Sequence, residues 1–444
     1  MKTPIYDFVK SYAERGSSRF HMPGHKGKGP LGIESLDITE IPGADTLYSA
    51  DGIIEESENN ASRLFGTAHT FYSTEGASLV IKAMLALAVS GKENPKILAA
   101  RGAHKSFVYA AALLDVELVW LFPENAEHIC DTRVSAEAVS AALAASPDVV
   151  ALYITSPDYL GNISDIKGIA KECKKRGVKL LVDNAHGAYL NFLPSPCHPI
   201  ALGADMCCDS AHKTLPAITG GAYLHVSKNA PAEYVSSARY ALSVFASTSP
   251  SYLILESLDL CNKALAEDYS NALRDAVSKV SRLKSELSNV GFSVMDTEPL
   301  KIVINTAEYG YTGDAVMSYL RDNNVEIEFF DSEFVVFMPS PSNTDSDFSR
   351  LFSALTALPK RTPIAIKKVM LPKAPVVKMS VREAVLSLHE SVPCSEAVGR
   401  VCAAPTVSCP PAVPIVVSGE VIREEHIPIF QKYSIEKIEV VKNA

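Results

Sequence analysis

Lys179-Leu180-Leu181-Val182-Asp183-Asn184-Ala185-His186-Gly187-Ala188 is the stretch from which the fold can be read. Its apolar run Leu180-Leu181-Val182 follows Gly177, ends in a carboxylate and is trailed closely by a glycine. A short continuous apolar run of this kind reads as a strand buried on both faces of a parallel sheet. Ligands of open α/β sheets bind at the C-terminal ends of such strands, which is where Asp183 falls. Taken alone, Asp183 would be read as a helix N-cap or turn residue.

Downstream, Asp209-Ser210-Ala211-His212-Lys213-Thr214-Leu215-Pro216 and the pair Gly220-Gly221 put a lysine in a small, polar, loop-like setting after a short apolar run. A free lysine amine is mostly protonated at neutral pH and a poor nucleophile. In a partly buried site near other cations it can lose its proton and form a Schiff base. By itself Ser-x-His-Lys describes an ordinary surface loop. Paired with Asp183 at a strand end, it supplies the two protein groups a pyridoxal phosphate (PLP) enzyme needs, a lysine amine and a carboxylate against the ring nitrogen.

The remaining segments support an α/β architecture. Strands are expected at 96–100, 117–122, 149–155, 179–183 and 221–226, with helices between them at 78–90, 135–145 and 166–176, as in a doubly wound parallel sheet. Residues 1–50 read as an N-terminal arm, 51–255 as the large domain, 256–358 as a small α/β domain and 359–444 as a C-terminal domain. A long helix is expected over 255–288. The chain has 444 residues, 47% hydrophobic and 21% charged, so it has ample material for two or three cores. A net charge of −9 argues against nucleic acid or an anionic membrane as the main partner. Nine cysteines without a CxxC, and no signal-like start, lead to the expectation of a reduced, cytoplasmic protein.

Further site candidates follow from position. Phe71-Tyr72-Ser73-Thr74-Glu75-Gly76-Ala77-Ser78 leads into a helix whose N-terminal N–H groups suit a phosphate, with Gly76 allowing close approach and Ser78 adding a hydroxyl. The same residues would also serve as a plain helix cap. His104 follows the strand at 96–100, so His104, His186 and His212 all lie near expected strand ends. Each is unremarkable singly, but the three together suggest a site. No histidine shows convincing metal spacing.

Assembled, these residues resemble the Orn/Lys/Arg decarboxylase family of PLP fold type I enzymes, in the short bacterial form without an N-terminal wing domain. Phe20-His21-Met22-Pro23-Gly24-His25-Lys26-Gly27, Asp37 to Asp45, Thr155-Ser156-Pro157-Asp158-Tyr159-Leu160-Gly161, Thr248-Ser249-Pro250-Ser251-Tyr252 and Cys409-Pro410-Pro411-Ala412-Val413-Pro414 carry the resemblance in order along the chain. It implies that Lys213 carries PLP, Asp183 meets the ring nitrogen and His104 stacks on the ring. Ser210, Ser78 and the N–H groups of Gly76 and Ala77 would take the phosphate, with His212 lining the site. Ser247 would reach the cofactor phosphate of a neighbouring subunit in a homodimer. The substrate would be arginine, lysine or ornithine, with Asp45, Glu40 or Glu420 meeting its distal cation. Lys213 or a histidine would return the proton. The sequence departs from the family at Glu75 and Ala77, which place a carboxylate near the phosphate and remove a hydroxyl, and at Ala412. Two other readings share the fold. One is a different PLP reaction, for which Arg361, Arg382 or Arg400 would grip the α-carboxylate, and the other is a non-catalytic binding protein.

Overall fold

A computed structural model describes residues 1–124, 126, 128–366, 371–407 and 413–442. The Cys409 to Ala412 part of the last family block therefore lies outside the described residues. Seven strands form the principal sheet: β1 (His69–Ser73), β2 (Lys96–Ala100), β3 (Glu117–Leu121), β4 (Val149–Thr155), β5 (Lys179–Asp183), β6 (Met206–Asp209) and β7 (Ala222–Val226). Their order is β1-β7-β6-β5-β4-β2-β3. Leu180, Leu181 and Val182 have no exposed surface, as the apolar run predicts for a strand covered on both faces.

The sheet is mainly parallel. β2 runs parallel to β3, and β5 to β6, but β7 is antiparallel to both β6 and β1. The link from β6 to β7 holds only a one-turn helix, Ala211–Thr214, instead of a full crossover helix, so the chain returns antiparallel. Nothing in the sequence sets β1 apart from the loop that follows it. Its five residues are all buried, and three of them, His69, Thr70 and Ser73, are polar, so neither alternation nor a clean apolar run marks it. Burial is made good by partners: Thr70 Oγ1 meets His225 Nδ1 at 2.9 Å, and Tyr72 Oη meets Ser57 Oγ at 2.6 Å.

Helices α1 (Pro4–Glu14), α2 (Ile53–Phe65), α3 (Gly76–Val89), α4 (Lys105–Leu114), α5 (Ala136–Ala145) and α6 (Ile166–Lys175) precede the short α7 (Pro199–Leu202) and α8 (Ala211–Thr214). Then come α9 (Ala232–Ser243), α10 (Tyr252–Ala266) and α11 (Tyr269–Asn289). The single helix expected over 255–288 is thus two. Glu267 leaves helical geometry at φ −93 and ψ −92, which breaks the run between them.

The chain divides into two compact units. One comprises residues 1–92, 150–152 and 166–270, and contains the arm, α1 to α3, β5 to β7 and α7 to α10. The other comprises 93–149, 153–165 and 271–444. It includes a four-stranded sheet with Ile302–Asn305 and Phe334–Phe337 at its centre. Val303, Phe329 and Val336 of that sheet share a core with Ile415, Phe430 and Val440 of the C-terminal segment. Among the described residues, no helix is long and apolar enough to cross a membrane.

Candidate active site

Lys213 sits in α8, directly after the C-terminal end of β6. Its Nζ lies 2.9 Å from Nε2 of His186, which the loop after β5 carries. The sequence suggested a partly buried lysine. In the single chain Lys213 is instead exposed, while His186 is buried. A one-turn helix raised on a strand end presents its side chain outward, and the contact with His186 is what fixes the amine.

Asp183 closes β5 and is 3% exposed. Its Oδ1 accepts from the Ala185 N–H at 3.1 Å and the Cys208 thiol at 3.4 Å. Burial, then the Asp183 and Asp209 carboxylates, push the Cys208 thiol well above the ordinary range, so it stays a neutral donor. Ser210, next to Asp209, is buried at the N-cap of α8.

The glycine pair links the lysine turn to the expected phosphate loop. Gly76 N–H donates to the Gly220 carbonyl at 2.8 Å, and His212 donates through Nδ1 to the Gly221 carbonyl at 3.0 Å. His212 therefore braces the turn beside Lys213. Gly220 has φ +100, and a Cβ there would stand 3.1 Å from the Thr74 carbonyl, so the position suits glycine alone. With its N–H given to Gly220, Gly76 contributes space: a Cβ on it would meet nothing within 4 Å. Ala77 and Ser78 occupy the first turn of the 14-residue α3, where N–H groups point out of the helix end and favour an anion.

Glu75 is the departure that would repel a phosphate. Its Oε1 accepts the Ser247 N–H at 2.8 Å, so Glu75 and Ser247 are joined within one chain. Burial, helped by Glu75, raises the nearby Tyr48 phenol. Strand-end carboxylate, amine, helix N-terminus and open space at Gly76 together fit PLP. His104, in the other unit, caps α4: its Nδ1 accepts from Ser106 N at 3.2 Å.

The three acidic substrate candidates have diverged. Asp45 caps a turn, accepting from the N–H groups of Thr46, Asp51, Gly52 and Ile54 at 2.8 to 3.2 Å. Glu420 forms a buried two-pronged pair with Arg101 at 2.8 Å on each prong and also accepts from Val417 N. Both carboxylates serve the fold. Glu40 is exposed. The arginines named for another PLP reaction also have structural contacts. Arg361 stacks over Tyr311, Arg382 donates to the Ala112 and Leu113 carbonyls, and Arg400 pairs with Glu390.

One buried group has no local signature in the sequence. Asp209 Oδ2 lies 3.0 Å from Nε2 of both His198 and His225, and its Oδ1 accepts from Asn184 Nδ2 at 2.6 Å. These residues are scattered along the chain: the strand pairing Cys207↔His225 brings in His225, the pairing Asp183↔Cys208 brings in Asn184, and α7 brings in His198 at its N-cap.

Comparison with known proteins gives the family of the chain. The profile of the Orn/Lys/Arg decarboxylase major domain matches residues 3–302, and that of the family's C-terminal domain matches residues 364–437. The arginine decarboxylase of Bacillus subtilis (strain 168) is 29% identical, across 96% of this chain and 92% of that protein. The arginine decarboxylase of Halalkalibacterium halodurans is 30% identical, again across 96% and 92%. The crystal structure of the Francisella novicida lysine decarboxylase shares the fold with a TM-score of 0.82 at 18% identity, covering 99% of this chain and 81% of that one. A sheet of PLP fold type I, a lysine and an aspartate at its strand ends, and profile matches over both major and C-terminal domains lead to one conclusion: the chain belongs to the Orn/Lys/Arg decarboxylase family.

Proposed function

We propose that this chain removes the α-carboxylate of a basic amino acid, arginine, lysine or ornithine, with pyridoxal phosphate held on Lys213. The observation that carries the reading is the 2.9 Å contact of Lys213 with His186, in a unit where Asp183 closes β5 beside β6. The names of the relatives favour arginine first and lysine second.

When bound, the cofactor accepts the electron pair that the departing carbon dioxide leaves behind. The protein's part is to hold, orient and move protons. Lys213 Nζ is the amine that attaches the group, and Asp183 is the buried carboxylate for its ring nitrogen. Ser210, Ser78 and the first turn of α3 take the phosphate. His104 keeps the stacking role implied by the family resemblance. His186 shares a proton with Lys213 Nζ and is the group best placed to supply one through that amine to the substrate's α-carbon. Glu40 is the acidic candidate left for the distal cation.

We further infer a homodimer. Phe20 (95% exposed) and Tyr240 (75%) are large side chains left open on the first unit, and Ser247, the residue expected to reach a neighbouring subunit, is exposed there too.

The test is carbon dioxide and amine release from arginine, lysine and ornithine by PLP-loaded protein, beside Lys213→Ala. Agmatine, cadaverine or putrescine from the wild type alone identifies the substrate. PLP uptake without carbon dioxide would replace this reading with another PLP reaction.

A further inference from the structure

We propose that Asp209 and Asn184 form a positioning pair that locks the strand end carrying Asp183 to the strand end carrying Lys213. The proposal rests on the function given above. It adds two residues that touch neither substrate nor cofactor and act through Asp183 and Lys213.

The geometry is specific. Asp209 is the last residue of β6, four positions before Lys213, and Asn184 follows Asp183 directly. Asn184 Nδ2 donates to Asp209 Oδ1 at 2.6 Å, and Asn184 N–H donates to the Cys208 carbonyl at 3.0 Å. Thus one residue bonds to β6 through both backbone and side chain, at the point where both strands deliver their functional groups. Asp209 is in turn gripped from two further elements. His198, the N-cap of α7, and His225, on β7, each donate from Nε2 to Oδ2 at 3.0 Å. Their other ring nitrogens are also engaged: His198 Nδ1 accepts from Ile200 N at 3.4 Å, and His225 Nδ1 meets Thr70 Oγ1 at 2.9 Å. Asp209, Asn184, His198 and His225 have no exposed surface. Burial works to raise the Asp209 pKa, and the His198 and His225 imidazoles overcome it, leaving the carboxyl below its usual range.

A role in orientation fits better than one in stability. Asn184 Oδ1 is buried with no hydrogen-bond partner among the described residues. An unsatisfied buried acceptor costs about as much as a charge-assisted hydrogen bond returns, so the amide contributes little net to folding. A metal reading of the same cluster is weaker. Cys207 Sγ lies 4.0 Å from His198 Nε2 and 3.6 Å from Asp209 Oδ1, which is within reach of a shared ion. Yet every ring nitrogen already has a partner when both histidines carry their proton on Nε2.

The experiment compares wild type with Asn184→Ala, which leaves Asp209 and both histidines in place. Three quantities are read: the urea midpoint of the cofactor-free chain, PLP affinity and absorbance by titration, and kcat and KM separately. We expect a midpoint close to wild type, an unchanged KM, PLP binding weakened severalfold with a shifted absorbance band, and kcat lower by on the order of tenfold. Asp209→Asn should show the same kcat loss with an added loss of stability. If Asn184→Ala loses the fold, Asn184→Ser carries the same comparison. Wild-type kcat, PLP affinity and absorbance in the folded variant would overturn the proposal. So would one divalent metal per chain, lost in His198→Ala, found by elemental analysis of the wild type. A wild type that takes up no PLP would sink the functional reading and this proposal together. A fully active wild type with an indifferent Asn184→Ala sinks this proposal alone.

Discussion

Lys213 stands exposed on a one-turn helix, and the buried His186 ring is its contact at 2.9 Å. Removing the ring should therefore affect proton movement more than substrate binding. His186→Ala is expected to lower kcat by roughly 10²-fold with KM little changed, in steady-state assays of amine release. Glu75 gives a second test. Its carboxylate is turned to Ser247 N–H but stays close to the helix end expected to hold phosphate. Glu75→Asn should tighten PLP binding by roughly 1 kcal/mol, about fivefold in Kd by fluorescence titration. Glu256 on α10 is 4% exposed, and its Oε1 has no hydrogen-bond partner among the described residues. Burial, then Asp37 and Asp259, raise its pKa to about 8. The folded chain therefore keeps this carboxyl neutral where the unfolded chain ionises it. That contribution is complete below about pH 4.5, is lost as pH rises towards 8, and then levels off. Thermal melts of Glu256→Gln should overtake wild type across that window, by on the order of 2 kcal/mol.

At the scale of elements, the site is built from turns. The β6–α8 turn presents Lys213, the β5 turn presents Asp183 and His186, and Gly220-Gly221 binds the α3 turn to α8. Gly220→Ala would force a side chain into left-handed backbone beside the Thr74 carbonyl. It should cost roughly 2 kcal/mol or more in urea unfolding and weaken PLP binding as the α3 turn shifts. The lysine turn and β5 were legible because each is a local pattern: a glycine-flanked lysine, and an apolar run ending in a carboxylate. β1 was not, since its polar residues are stabilised by partners distant in sequence. The break between α10 and α11 was equally hidden, because Glu267 and Asp268 interrupt the helix without a proline or glycine to announce it.

At the scale of the whole molecule, the proposed homodimer is open to a direct test. Mixing Lys213→Ala with Ser247→Ala subunits should restore activity to about a quarter of wild type if Ser247 serves the neighbouring subunit's site, because random pairing returns that share of intact sites. No recovery after subunit exchange would remove Ser247 from that role. Sequence by itself determined the fold class and marked Asp183 and Lys213, which fall at the ends of adjacent strands, since strand burial and strand-end chemistry are written in contiguous residues. It also supplied the family blocks that the profile matches bear out. Tertiary structure alone decided which acidic groups belong to the fold. Glu420 meets Arg101 across 319 positions, and Asp209 gathers His198, His225 and Asn184 from three other elements. A carboxylate's task depends on which donors surround it once buried, and those donors are set by packing rather than by neighbours along the chain.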